Sequence, residues 1–308
     1  MRVVFMGTPD FAVNVLQGLI DNYDVVGVVS QPDRKVGRHQ EVKVTPIKEV
    51  ALKNNILVLQ PVKIREEYQD ILDLKPDIII TCAYGQIIPK EILDYPRLGC
   101  INVHASLLPK LRGGAPIHKA IIDGYDKTGI TIMYMDTKMD NGDIISQREV
   151  DILDTDNLES LHDKLSIVGK ELLLDTLPSI IDGTNNREKQ NEEEVTYAYN
   201  ITREEEHIDF SLSSLEVFNL IRGLSPVPGA NSIIFDQEMK IYESVISDKK
   251  YNGKCGEIVD ITKEGIVVKT GDGAVILKKV KPFGKKVMDS LSYINGIGKD
   301  KLLGKEFR

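Results

Sequence analysis

Val3-Val4-Phe5-Met6-Gly7-Thr8-Pro9-Asp10, at the start of the chain, reads as a buried strand that stops at a glycine turn and hands on to a helix. Four consecutive apolar residues, with no polar alternation, are what a strand covered on both faces carries. Asp10 stands where it could cap a helix whose apolar positions Val13, Leu16, Leu19 and Ile20 fall at helical spacing. The same pattern continues outward. Short β-branched runs at 25–29, 78–80, 101–104 and 130–135 are separated by helical segments. The alternation predicts an α/β fold with a Rossmann-like, mostly parallel sheet. In such sheets ligands sit beyond the carboxyl ends of the strands. Gly7-Thr8-Pro9-Asp10 is not Gly-x-Gly-x-x-Gly, and no Walker A loop occurs, so no bound nicotinamide, flavin or nucleoside triphosphate is expected.

Further along, Leu158, Leu161, Leu165, Val168, Leu172 and Leu173 form a helical stripe that closes this first domain by core packing. Residues 183–207 are polar, with Asn-Asn, Glu-Glu-Glu and Arg-Glu-Glu-Glu runs, and read as a connection. One helix bearing Leu215, Phe218 and Ile221 precedes Gly223-Leu224-Ser225-Pro226-Val227-Pro228-Gly229, which ends it. β-type runs follow at 232–235, 258–261, 266–269 and 275–277, with Gly271-Asp272-Gly273 as a hairpin turn. We expect a first domain over 1–188, a linker over 189–206 and a smaller OB-like β-barrel over 207–308.

The 308 residues are 42% hydrophobic and 28% charged, enough to build cores and remain soluble. No apolar run approaches the ~18 residues of a membrane span, and no leader pattern opens the chain. Cys82, Cys100 and Cys255 form no Cys-x-x-Cys pair, so a reducing cytoplasm is the expected compartment. Net charge is −8, unevenly spread: residues 207–308 carry +3 and residues 1–206 carry −11. A polyanion responds to local charge, so the basic third could face one.

Cys100-Ile101-Asn102-Val103-His104-Ala105-Ser106-Leu107-Leu108-Pro109 is the segment richest in chemistry. Asn102 and His104 lie two apart on a strand and point to one face near its carboxyl end. An amide and an imidazole side by side can both donate to one oxygen, as in an oxyanion hole. Met139-Asp140-Asn141-Gly142-Asp143 supplies a carboxylate on a loop after another strand, able to orient a histidine and relay a proton. A strand-end histidine also serves structure, and an Asp-Asn-Gly-Asp turn is often only a turn. No nucleophile motif and no metal spacing occurs, so neither covalent nor metal catalysis is indicated. Spacing alone gives an α/β enzyme with a polar strand-end site and leaves the reaction open.

Taken together, Asn102 to Pro109, Arg112-Gly113-Gly114-Ala115-Pro116-Ile117 and Met139 to Asp143 resemble the two signatures of the folate-dependent formyltransferases. Phe5 to Ala12, Gln31-Pro32-Asp33-Arg34, Gly37-Arg38, Ala83 to Pro89, Thr196-Tyr197-Ala198, Ile221-Arg222-Gly223 and Pro226 to Ala230 resemble the branch that acts on methionyl initiator tRNA. The resemblance implies 10-formyltetrahydrofolate as co-substrate, no metal, and formyl transfer to the methionyl α-amine by a monomer. It implies that Asn102 and His104 stabilise the oxyanion while Asp140 holds His104 and takes the amine proton. It implies a folate site made by Ser106, Leu107, Leu108 and Pro109 with Tyr84, Gly85, Gln86, Ile87 and Ile88.

For tRNA the resemblance implies two basic regions. Arg34, Lys35, Arg38, Lys43 and Lys48 lie on an insertion that enters the acceptor stem, with Arg38 the key side chain. Lys278, Lys279, Lys281, Lys285 and Lys286 could line phosphates without reading bases. A solvated loop and a charged surface strand are the plain alternatives. Other members use a small amine, on glycinamide ribonucleotide or a sugar nucleotide, and would share Asn102, His104 and Asp140 without needing the basic insertion. A tRNA-binding protein without catalysis, or a folate hydrolase, are further readings. The family usually has Trp at the position of Val227, and often at that of Phe210; this chain has none.

Overall fold

The structure, a computed structural model, describes residues 1–36 and 41–308. Two compact units emerge. The first comprises Met1–Pro116, Lys127–Asp151 and His162–Tyr199; the second comprises Ile117–Asp126, Ile152–Leu161 and Asn200–Arg308.

In chain order the elements are β1 (Arg2–Gly7), α1 (Val13–Asn22), β2 (Asp24–Val29), β3 (Arg34–Val36), β4 (Glu41–Lys43), α2 (Pro46–Lys53), β5 (Val58–Leu59), α3 (Gln69–Asp73), β6 (Ile78–Cys82), α4 (Lys90–Leu93), β7 (Cys100–His104), α5 (Pro116–Ile122), β8 (Lys127–Tyr134), β9 (Ile144–Asp151) and α6 (Leu158–Asp182). The main sheet runs β5-β2-β1-β6-β7-β8-β9. Its first five strands are parallel, and β8 and β9 add to the β7 edge antiparallel. Val3 to Met6 and Ile78 to Ile80 are fully buried, as continuous β-branched runs in a doubly covered sheet require. The chain leaves β1 in one direction through β2 and returns to its other side at β6, making a switch point at the end of β1. Thr8 and Tyr84 meet there: the Thr8 hydroxyl donates to the Tyr84 carbonyl at 2.9 Å.

Asp10 does not cap α1. It opens a 3-10 turn over Asp10–Ala12, and its carboxylate accepts from the adjacent Phe11 N–H at 3.1 Å. The extra turn lets Phe11 and Ala12 bury before the helix proper begins at Val13.

In the second unit α7 (Ser214–Gly223) starts with a capping box between Ser213 and Glu216. It is followed by β10 (Ala230–Ile234), β11 (Gln237–Ile246), β12 (Ile258–Thr262), β13 (Gly265–Lys269), β14 (Ala274–Pro282), β15 (Met288–Asp289), α8 (Ser290–Ile297) and α9 (Lys299–Leu302). The antiparallel sheet runs β10-β11-β14-β13-β12, with β15 on β14. Residues 304–308 join its two edges. Arg308 and Ile233 exchange backbone hydrogen bonds on the β10 side, while Gly304, Lys305 and Phe307 bond to Ile258 and Gly256 on the β12 side. The sheet is thereby closed into a small barrel, which leaves no long unpaired edge. Phe210 fills this core against Phe307, with ring centroids 5.6 Å apart, whereas Val227 is exposed.

Candidate active site

Asn102 and His104 sit at the carboxyl end of β7, two residues apart and on one face. The Thr81 hydroxyl on neighbouring β6 lies 2.8 Å from Asn102 Oδ1 and donates to it. That contact assigns the amide orientation and turns Nδ2, a donor, to the other side. His104 is buried, and its Nε2 donates to the Leu111 carbonyl at 3.1 Å. The ring's other nitrogen, Nδ1, faces Asp140 Oδ1 at 3.7 Å. This is too long for a hydrogen bond. The imidazole is therefore held by Leu111, and Asp140 stands opposite it across a gap.

Asp140 is fixed by its own neighbours. Its Oδ2 accepts from the Gly113 N–H at 2.8 Å. Gln190 Nε2 donates to the carbonyls of Asp140 and Gly142 at 2.8 and 2.9 Å. Gln190 Oε1 accepts in turn from Arg112 Nε and Nη2 at 3.0 and 2.8 Å. The buried Arg112 guanidinium also reaches Asn141 Oδ1 and Glu192. Asp140 has φ +49°, a left-handed conformation that a non-glycine residue keeps only when its surroundings dictate it. Two glycines are required by close approach. A Cβ on Gly142 would lie 1.9 Å from the Tyr134 carbonyl oxygen, and one on Gly113 2.6 Å from that of Ala198.

Gln190 and Glu192 lie in the stretch expected to be a linker. Residues 188–198 belong to the first unit and are bonded to it at both ends: Ile144 and Glu188 exchange backbone bonds, Thr196 Oγ1 accepts from Leu111 N–H, and the Ala198 N–H donates to the Arg112 carbonyl. Arg112 and Gln190 are thus site-supporting residues that sequence reading missed. A glutamine in a run of charged residues carries no signal, whereas Arg112 beside two glycines could have raised the question.

The residues assigned to folate separate into two groups. Tyr84 and Ile88 pack into the core beside Met6, Ile64 and Ile92. Burial pushes the Tyr84 phenol up to about 12. Ser106 and Leu108 are buried supports: the Ser106 hydroxyl donates to the Lys110 carbonyl, and Leu108 packs on Met133 and Ile144. Gln86 ties its loop to Ile64 N–H at 3.0 Å and to Pro61. Gly85 is exposed in an open turn at φ +93°, Leu107 and Pro109 are half-buried, and Ile87 is exposed; these four can face a ligand.

The basic residues are also dispersed. β3 and β4 pair antiparallel and set Arg34 directly opposite Lys43. Two like charges side by side are unfavourable without an anion. Arg38 lies outside the described residues. Lys48 is committed to Asp33 at 2.6 Å and Gln60 at 2.7 Å, and Lys48 followed by Gln60 holds the Asp33 carboxyl below its ordinary range. In the barrel, Lys278 and Lys279 face Glu264 and Glu243 at 4.0 and 3.6 Å. Lys281, Lys285 and Lys286 are exposed and have no ion pair among the described residues. Among the described residues no three His, Cys, Asp or Glu side chains converge to hold a metal, and no helix is long and apolar enough to cross a membrane.

A parallel-sheet domain with a polar Asn/His/Asp constellation beyond its strand ends, followed by a small barrel, defines the class. Residues 1–177 match the formyl transferase family and residues 200–298 its C-terminal domain, and the chain belongs to that family. Two relatives are more specific. Methionyl-tRNA formyltransferase of Bacillus licheniformis is 53% identical over 301 residues, covering 96% of this chain and 95% of the relative. That of Bacillus subtilis is 53% identical over 299 residues, covering 96% and 94%. Among solved structures, an N-formyltransferase from Helicobacter canadensis, in complex with folinic acid and dTDP-3-aminofucose, superposes with TM-score 0.68 at 22% identity, covering 92% of this chain and 100% of that one.

Proposed function

We propose that this chain transfers the formyl group of 10-formyltetrahydrofolate to the α-amine of methionyl initiator tRNA. The observation that carries this is the 53% identity, over nearly the full length of both chains, to enzymes of that name. The arrangement of Asn102, His104 and Asp140 supports the chemistry. The amine nitrogen bonds to the formyl carbon, the bond from that carbon to the folate nitrogen breaks, and one proton passes from amine to folate nitrogen.

Asn102 Nδ2, turned outward by Thr81, donates to the oxygen as it gains charge. His104 Nε2–H is occupied by Leu111, so Nδ1 is the nitrogen that works. An N–H there donates to the same oxygen, with the Asp140 carboxylate 3.7 Å away across the gap. An amine about 2.9 Å from Asp140 Oδ1 makes a hydrogen bond of ordinary length to it. Asp140 Oδ1 then receives the amine proton, while Oδ2 stays anchored on Gly113. Gly85, Ile87, Leu107 and Pro109 supply the apolar and backbone surfaces a flat heterocycle needs. Arg34 and Lys43, with Arg38 between them in sequence, supply charge for the acceptor stem. Action as a monomer in the cytoplasm completes the reading.

Replacing His104 by Ala or Asp140 by Asn should each lower turnover at least ~100-fold, as loss of a positioned acid–base group does. Folded variants that both keep the wild-type rate would remove these roles.

A further inference from the structure

The second unit contains a cavity of about 560 Å³ that the transfer reaction does not use. Ile234, Met239, Met288, Tyr293 and Ile297 are among its lining residues. Two hairpin turns bring aromatic rings to it. Between β10 and β11 the turn residues Phe235 and Asp236 have φ +54° and +56°. This left-handed pair suits Asn-Gly, and a bulky aromatic there is strained. Phe235 is nevertheless 42% exposed, so burial does not offset the strain. Between β14 and β15, Phe283 is 67% exposed. Near it in sequence are Lys281, Lys285 and Lys286, exposed and without ion pairs among the described residues, and of these Lys285 lines the cavity. The one acid lining it, Glu238, is neutralised by Arg203.

Exposed aromatic faces beside unpaired cations match the chemistry of an unstacked nucleotide, with π faces for the base and ammonium groups for its phosphates. The volume falls in the range that accepts a small-molecule-sized group. We propose that this cavity binds one unstacked nucleobase of the tRNA, stacked on Phe283 and Phe235, with Lys281, Lys285 and Lys286 on the adjoining phosphates. The barrel then reads a base that is free to leave its stack, in addition to tracking the backbone. The proposal rests on tRNA being the substrate.

Phe283→Trp gives the chain its sole tryptophan, placed on the proposed stacking face. In the full-length protein, a single-stranded RNA hexanucleotide should quench its emission, whereas inorganic polyphosphate of equal charge should not. Phe283→Ala should raise KM for methionine-charged initiator tRNA roughly tenfold, the effect of losing one base–aromatic stack. Its kcat and folate affinity should be unchanged. Equal quenching by polyphosphate, or an unchanged KM, would overturn the proposal. So would a blue shift with anionic phospholipid vesicles and none with RNA, which would make the patch a membrane-facing surface. If the wild-type chain formylates no tRNA, the functional reading fails, and quenching by the hexanucleotide reports separately on the base site.

Discussion

Gln190→Glu is the sharpest probe of how the candidate site is held. The side chain keeps its size and its acceptor toward Arg112, but the Nε2 donor becomes an oxygen. That oxygen would face the Asp140 and Gly142 carbonyls at 2.8 and 2.9 Å, both of which now receive hydrogen bonds. Two neutral hydrogen bonds at ~1 kcal/mol each are lost, ~2 kcal/mol before any repulsion between oxygens. The gain of a charged contact to Arg112 offsets the loss in overall stability, so the melting temperature should change little. It does not offset the loss at Asp140, whose left-handed backbone needs these contacts to persist. If ~2 kcal/mol of loop placement is lost, kcat should fall about 30-fold. Steady-state transfer kinetics across pH provide the assay. A positioning defect lowers kcat at all pH values and leaves the profile's shape intact, because Asp140 is still present. Wild-type kcat in a folded Gln190→Glu enzyme would refute the reasoning.

Three further outcomes follow from the same structure. Thr81→Val removes the donor that orients Asn102 and should lower kcat about fivefold, the worth of ~1 kcal/mol, with folate affinity unchanged; a changed folate affinity with kcat intact would contradict this. Burial raises the Cys82 and Cys100 thiols, Cys100 to about 12, while Cys255 is exposed, so a thiol reagent at neutral pH should modify one cysteine quickly and the other two only on unfolding. Asp77 accepts from Arg2 N–H at 2.7 Å and Arg97 Nε at 2.8 Å, which hold its carboxyl below the ordinary range, the Arg2 contact first. A depressed carboxyl stabilises the fold above its unfolded value and loses that contribution as pH falls through its folded value. Asp77→Asn should therefore lower the melting temperature at pH 7, with the deficit shrinking below about pH 4; a deficit equal at both would exclude the charge as its source.

Much of the first unit was legible because its strands are buried on both faces and carry β-branched runs without interruption. β9 was not expected: Ile144-Ile145 is followed by alternating polar residues along a sheet edge. β11 was missed because its alternation of Met239 and Ile241 shifts phase at Glu243, where the register with β14 slips. The pairing of Asn102 with His104 followed from strand periodicity alone. The support of Asp140 by Gln190 and Arg112 did not, since it depends on a polar segment folding back some fifty residues later, with the Gln190 amide donating to a backbone carbonyl and accepting from the Arg112 side chain. The place of Tyr84 in the folate site rests on the resemblance alone; in the structure its ring packs in a buried cluster with Met6, Ile64 and Ile92.

The most direct test of the account is formyl transfer from 10-formyltetrahydrofolate to methionine-charged initiator tRNA, measured beside charged elongator tRNA and glycinamide ribonucleotide. Rapid transfer to the initiator alone is the predicted result. Transfer only to the small amine would contradict the tRNA reading while leaving the Asn102, His104 and Asp140 chemistry in place.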